Sequence, residues 1–196
     1  MIDLPPQSAL IANTPRLRLV PLSPDDAEEM FAVLNDQRLH RFTGGLPLGE
    51  AELREQYRAW QVRRSVDGSQ VWLNWVVRLV PLGEAIGHVQ ATVTDDNRAV
   101  IGYVIGTQWS RHGFAVEAST SMIGMLHAHV GVRRLEAHIH PRHIASHRVA
   151  QRLGLRRTGR RDSAGEEVWA GRASPGRRRP LPPVLAVSGR RRAPAL

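Results

Sequence analysis

Residues 99–118 read AVIGYVIGTQWSRHGFAVEA, and the fold turns on how that stretch divides. Its first half belongs to an apolar, β-branched run over 98–106, as a strand requires. From His112 to about His129 the period changes. Phe114, Ala118, Met122, Met125 and His129 recur at a helical step, which predicts the longest helix of the chain. A loop that enters a helix at a glycine leaves several backbone N–H groups unpaired at the positive end of the helix dipole, a ready site for an anion such as phosphate. Gly113 is small enough to let backbone approach a pyrophosphate, and Ala115 keeps the next turn uncrowded.

Upstream, RLRLVP (16–21) alternates as a half-buried strand, and SPDDAEEMFAVL follows at once. There Ser23 is a cap, Pro24 suits the first helical position and Asp25 and Asp26 favour the dipole, while Ala27, Met30, Phe31 and Leu34 share a face. Leu53, Tyr57 and Trp60 predict a second amphipathic helix over 49–64. The runs 71–80, 85–93 and 98–106 are joined by short polar or Pro/Gly turns, so an antiparallel meander is expected. Downstream, RLEAHIH (134–140) is a strand, Ile144 to Leu153 a helix stopped by Gly154, and 155–159 and 166–170 a final strand pair. The order predicts an α+β chain with a mixed, mostly antiparallel central sheet flanked by helices.

The length of 196 residues suits one domain. No apolar run approaches a membrane span, and MIDLPPQSAL lacks the basic start and apolar centre of a secretory signal, so a cytoplasmic location and no membrane contact are expected. With no cysteine, disulfides, thiolate metal sites and thiol nucleophiles are excluded. The net charge of +9 is uneven: residues 1–170 carry 20 arginines against 18 acids, and seven further arginines lie after residue 170 with no acid. Residues 1–170 are therefore expected to form the domain, and the Arg/Pro/Gly-rich residues 171–196 a disordered tail. An arginine arm of this kind offers a contact for RNA or the ribosome, though like-charge blocks are also common solvated tails.

Three separated segments resemble the GNAT (Gcn5-related N-acetyltransferase) superfamily, in its ribosomal-protein-alanine acetyltransferase-like branch, over about residues 14–170. TPRLRLVPLSPDDAEEMFAVL is similar to that branch's opening strand and helix, AVIGYVIGTQWSRHGFAVEA to its fourth strand and acetyl-coenzyme A loop, and HPRHIASHRVAQRLGLRRTG to its late strand and helix. The resemblance implies transfer of acetyl from acetyl-coenzyme A to a primary amine by direct attack in a ternary complex, with a protein N-terminal amine the favoured acceptor and no metal. It also implies a monomer or homodimer. Carried over by position, Arg111, His112, Gly113, Phe114 and Ala115 offer backbone N–H groups to the pyrophosphate. Val104 and Ile105 offer backbone to the pantetheine and thioester, and the Ser146 hydroxyl offers a proton to the departing thiolate. Ser110 stands where Gln or Arg is common, and His143, in the cofactor-contacting position, replaces the usual Asn.

The attacking amine must be neutral, and an α-amino group near pKa 7.7–8.0 asks less of a base than a lysine near 10.4. Candidate bases are Glu166 and Glu167 on the last strand, with Glu84, His88 and Asp95 near the central hairpins. Six of nine histidines fall within 127–147, yet no carboxylate or cysteine completes a familiar metal spacing, and surface or partly buried histidines are the ordinary account. The tryptophans, Trp60 above all, could line an acceptor groove, with core packing the ordinary role of each. A different class of function remains open on the residues alone: a GNAT fold that binds coenzyme A or a partner without turnover.

Overall fold

The protein was described as a computed structural model covering residues 2–42 and 44–174. Its central sheet has eight strands: β1 (Ala12–Asn13), β2 (Leu17–Pro21), β3 (Gln70–Leu79), β4 (Ala85–Thr94), β5 (Arg98–Ile105), β6 (Arg134–Ile139), β7 (Arg156–Arg161) and β8 (Glu167–Arg172). Their order is β1-β2-β3-β4-β5-β6-β8-β7, and every pairing is antiparallel except that of β5 with β6. The helices are α1 (Ala27–Leu34), α2 (Gln37–His40), α3 (Glu50–Trp60), α4 (Phe114–Met125) and α5 (Ile144–Arg152). The expected mixed α+β sheet is the one found.

Local chemistry accounts for the element ends. Ser23 accepts from the Asp25 N–H at 3.2 Å while Asp26 accepts from the Ser23 N–H at 2.7 Å, a reciprocal cap that starts the turn Pro24–Asp26 and then α1. At α3 only half of such a cap exists: Gly49 has no side chain to accept, but its N–H donates to Glu52 at 2.8 Å. The long helix begins two residues later than the periodicity placed it, at Phe114, because Gly113 holds a left-handed φ of 83° as its cap, and its last turn, Leu126–Val130, widens into a π-helix ended by Gly131.

Alternation divides the sheet's residues between two unequal faces. Leu73, Trp75 and Val77 of β3, Val89 and Ala91 of β4, Ala99 and Ile101 of β5 and Leu135, Ala137 and Ile139 of β6 are buried in one large cluster with Ala118, Met122 and Leu126 of the long helix. On the other face, α1 and α3 cover only a patch around Val76 and Ala85, with Met30, Leu53 and Tyr57 buried there. Beyond that patch this second face is open.

Three short features escaped the periodicity: the 3-10 turn Gln7–Leu10, the two-residue β1 and the four-residue α2. None is long enough to display a period. The domain boundary expected at residue 170 also moves. β8 runs on through Gly171 and Arg172, and Ala173 is buried with its N–H donating to the Arg133 carbonyl at 2.9 Å. Pairing with β6 orders these residues despite their tail-like composition. The rest of the expected Arg/Pro/Gly-rich tail, with its RNA or ribosome contact, lies outside the described residues. Among the described residues no helix is long and apolar enough to cross a membrane.

Candidate active site

The site begins where one ladder stops. β5 pairs with β4 along its whole length, from Gly87↔Ile105 to Thr94↔Arg98, but with β6 only at Arg98, Ala99 and Val100. β5 nevertheless continues to Ile105 and β6 to Ile139, so past Val100 the two parallel strands part and leave a gap. The Gly106 N–H donates to the Ile86 carbonyl at 2.8 Å, and bonded positions recur at every second residue of an antiparallel ladder. Val104 therefore turns its polar groups to β4, where its carbonyl lies 2.1 Å from the place a Cβ on Gly87 would take, which is why Gly87 has none. Tyr103 and Ile105 present theirs to the gap. Of the two residues expected to offer backbone there, Ile105 does so; Val104 does not, and Tyr103 takes its place.

Beside the gap, Arg111 and Gly113 both hold left-handed backbone, φ 66° and 83°, and the N–H groups of Arg111, His112, Gly113, Phe114 and Ala115 find no acceptor among the described residues. Alternating backbone handedness with unpaired N–H groups at a helix start makes a concave anion site. A half-buried ion pair braces it. Glu117, in the first turn of α4, accepts from the Arg16 Nε at 2.8 Å and from the Thr14 hydroxyl at 2.6 Å, while the Arg16 Nη1 donates to the His112 carbonyl at 3.2 Å. The same guanidinium lies 4.6 Å over the Phe114 ring. Neither Arg16 nor Glu117 stands out in the sequence, since 100 residues separate them and each alone reads as a surface charge.

At the other wall of the gap, the Ser146 hydroxyl donates to the Tyr103 hydroxyl at 3.2 Å, and Tyr103 donates to the Ser146 carbonyl at 3.0 Å. Burial pushes the Tyr103 phenol up from its ordinary value, so it stays protonated. Tyr103 was legible only as the one aromatic residue of its strand. His143 sits at the start of α5 without capping it, and stacks instead on Phe42 from the segment after α2, with ring centroids 4.5 Å apart. Phe42 also meets His140 at 5.4 Å, so it reaches across the end of β6. Burial, then His147 and His140, lower the His143 pKa and favour its neutral ring.

The open face holds the second half of the site. Val104 stands opposite His88, Gly102 opposite Gln90, Gln90 opposite Asn74 and Thr92 opposite Trp72, so these residues share it. Of these, Trp72, Asn74, Gln90 and Thr92 line a cavity of about 360 Å³ with Ala59 and Trp60 of α3. Trp60 and Trp72 are thus cavity walls, whereas Trp75 and Trp169 are core. The His88 Nδ1 is buried and unpartnered, and burial lowers its pKa to about 4.

The sequence model of the Acetyltransferase (GNAT) domain matches residues 16–156, a span that holds the gap, the anion loop and α5. The chain belongs to the GNAT acetyltransferase family. Its fold is similar to that of a ribosomal-protein-serine acetyltransferase from Vibrio cholerae, at 24% identity over 83% of this chain and 97% of that one, with a TM-score of 0.68. It is also similar to RimJ of Mycobacterium smegmatis in complex with CoA-disulfide, at 21% identity over 80% and 82%, TM-score 0.64. A GNAT-family acetyltransferase from Bacillus anthracis gives 18% identity over 83% and 98%, TM-score 0.70. No curated protein matches the chain in sequence.

Within this GNAT chain the two glutamates expected as bases part company. Glu167 shares the core face of β8 with Trp169 and is held under α5, 3.3 Å from the Arg157 Nε and 3.6 Å from the buried His147 Nε2. It is an ion-pair partner on the face away from the cavity, which corrects its expected role as base. Glu166 lies with His138 and Asp162, each offering a ligand-type atom within 4.8 Å of the others. Asp162 is already engaged: one oxygen accepts from the Ala164 and Glu166 N–H groups at 2.9 Å, and the other from the His138 Nδ1 at 2.8 Å. A metal ion would have to break that set, so no ion is assigned to it. Glu84 and Asp95 lie in turns of the central hairpins.

Proposed function

We propose that this acetyltransferase moves an acetyl group from acetyl-coenzyme A to a primary amine, a protein N-terminal amine in preference, by direct attack in a ternary complex. One observation carries the reading: β5 and β6 part past Val100, with the anion loop of residues 111–115 on the segment that follows β5, so a donor can lie along the gap, while the Trp60–Trp72 cavity lies on the other face over the neighbouring strands β3 and β4. Bound acetyl-coenzyme A supplies an activated thioester. The backbone of residues 111–115 holds its pyrophosphate, and the outward groups of Tyr103 and Ile105 bond the pantetheine and polarise the thioester carbonyl. The paired hydroxyls of Tyr103 and Ser146, both neutral, supply the proton that the leaving thiolate needs.

The cavity's lining bears on the acceptor. Asn74, Gln90 and Thr92 are neutral hydrogen-bonding groups set between two indole walls, with no carboxylate among the residues that line it. A polycationic amine would find no counter-charge there, whereas peptide amides would find donors and acceptors.

The test is calorimetric titration of acetyl-coenzyme A into the purified protein and into Gly113→Trp, followed by thiol release with an Ala- or Ser-initiated hexapeptide. Micromolar binding lost in the variant, and release that depends on the peptide, support the reading. Binding without release by any amine would favour the alternative, a coenzyme A- or partner-binding module without turnover. Absence of binding by the parent would sink both.

A further inference from the structure

The proposed reaction leaves one proton without a destination, that of the attacking amine. Two histidines lie on the open face on the strands either side of β5, His88 on β4 opposite Val104 and His138 on β6, by continuation of the β5–β6 register, level with Gly102. His138 lies on β6, whose residue Glu136 pairs with Val100 on the same face, and alternation puts His138 two residues on, in the stretch that has parted from β5. His138 therefore stands at the gap's edge on the acceptor side.

The two differ in what holds them. His88 has no carboxylate or other partner at its Nδ1, and burial disfavours its charged form. His138 donates its Nδ1–H to Asp162 Oδ2 at 2.8 Å. That carboxylate is fixed in turn by the N–H groups of Ala164 and Glu166 at its other oxygen. An imidazole held by a carboxylate at Nδ1 keeps the lone pair on Nε2 and has its cation stabilised, which is how such a pair serves as a general base. The His138 Nε2 makes no hydrogen bond among the described residues. The Glu136 Oε2, 4.0 Å from it, is itself bonded by Arg98 at 3.2 Å, with Arg160 on the other oxygen at 2.7 Å. Glu166 completes the ring of charges around it.

Resting on the acetyl-transfer reading, we infer that His138 is the general base of this chain and Asp162 its positioning residue. The His138 Nε2 takes one proton of the acceptor ammonium, the freed nitrogen lone pair forms the C–N bond, the C–S bond breaks, the sulfur takes a proton from the Tyr103–Ser146 pair, and the second nitrogen proton, lost as the amide forms, returns to that pair. Burial alone would push the Asp162 carboxyl up, but its hydrogen bonds to Glu166, His138 and Ala164 hold it below its ordinary value. It stays ionised wherever His138 must work.

The experiment follows thiol release from acetyl-coenzyme A with the hexapeptide acceptor, in the parent and in His138→Ala, His138→Gln and Asp162→Asn. His138→Gln keeps a donor toward Asp162 and so guards against misfolding. Both His138 variants are expected to lose about 100-fold in kcat near pH 7, the usual scale of general base catalysis. Their affinity for acetyl-coenzyme A should stay within twofold of the parent. Rates in these variants should recover as pH rises and the amine deprotonates by itself. Asp162→Asn should lose roughly tenfold in kcat while the KM for the peptide and the affinity for acetyl-coenzyme A stay within twofold, because the ring is no longer held with its lone pair on Nε2. A full parental rate in both His138 variants would overturn the assignment and leave acetyl transfer standing. Activity lost on chelation with EDTA and restored by Zn²⁺ would also overturn it, in favour of a metal at His138, Asp162 and Glu166. No release by the parent with any amine would overturn the assignment together with the reading it rests on.

Discussion

The two flanks of the gap are built from different materials. On the β3–β4–β5 side the strands are long, paired along their length with one register shift between Val77 and Arg78, and their core face is aliphatic and aromatic, with Trp75 fully buried and its Nε1 donating to the Leu10 carbonyl at 2.7 Å. On the β6–β8–β7 side the strands have six residues each and β7 is exposed throughout; Leu135, Ala137, Ile139 and Trp169 join the same apolar core, and to it this flank adds charge pairs: Arg98 and Arg160 on Glu136, His138 on Asp162, Arg157 on Glu167. Apolar burial gives the first flank rigidity that depends little on salt, with the buried His88 its pH-sensitive point. The second is tuned by pH and salt. An enzyme that must hold an acyl donor still while moving protons gains from that division.

The comparison can be broken at several points. The largest effect is expected in the apolar flank, where Trp75→Ala should cost about 3–5 kcal/mol in urea unfolding, from the lost packing and the orphaned Leu10 carbonyl together. A loss under 1 kcal/mol would show that this flank is not the rigid one. Next is His88, whose depressed folded pKa of about 4 lies below the unfolded value of 6.5. The unfolded chain then binds the extra proton in between, so stability is fully present above pH 6.5 and is lost as pH falls toward 4, by roughly 2–3 kcal/mol. Urea midpoints at pH 7 and 5 should diverge in the parent and much less in His88→Gln. Glu117→Gln, which leaves the Arg16 guanidinium facing a neutral amide, should cost about 2 kcal/mol and weaken coenzyme A binding through the loop it supports. A variant with parental stability and affinity would remove that role. Smallest is Glu136→Gln, expected at about 1 kcal/mol in low salt and less at 1 M NaCl, since both arginine partners are substantially exposed.

What the sequence made legible follows the reach of each interaction. Strand and helix positions came from alternation and from caps such as Ser23, which act within a few residues. The anion loop came from Gly113, whose left-handed backbone is a local demand. Of the proposed proton-handling groups, Ser146 came from the resemblance of its segment, whereas Tyr103, His138 and Asp162 were legible only as residue types: Tyr103 meets Ser146 across 43 positions and His138 meets Asp162 across 24, with no period or spacing linking them. Glu167 misled for the same reason. Its position on the last strand was right, but which face a strand residue takes depends on a neighbour, β6, that the pattern of Glu166 and Glu167 does not reveal. Val104 and Ile105 are adjacent, and only the pairing of Gly106 with Ile86 decides which of them faces the gap.

The staple between Arg16 and Glu117 also bears on the order in which the molecule assembles. Loop closure over such a separation must be offset before the contact repays it, and long-range pairings of this kind slow folding. The meander from β3 to β5 can form from neighbours in sequence, whereas the loop that cradles an anion is finished only when the chain's opening segment returns to the first turn of α4. A newly made chain thus holds most of its sheet before it can grip a phosphate, and cofactor affinity measured during refolding should be the last property to return.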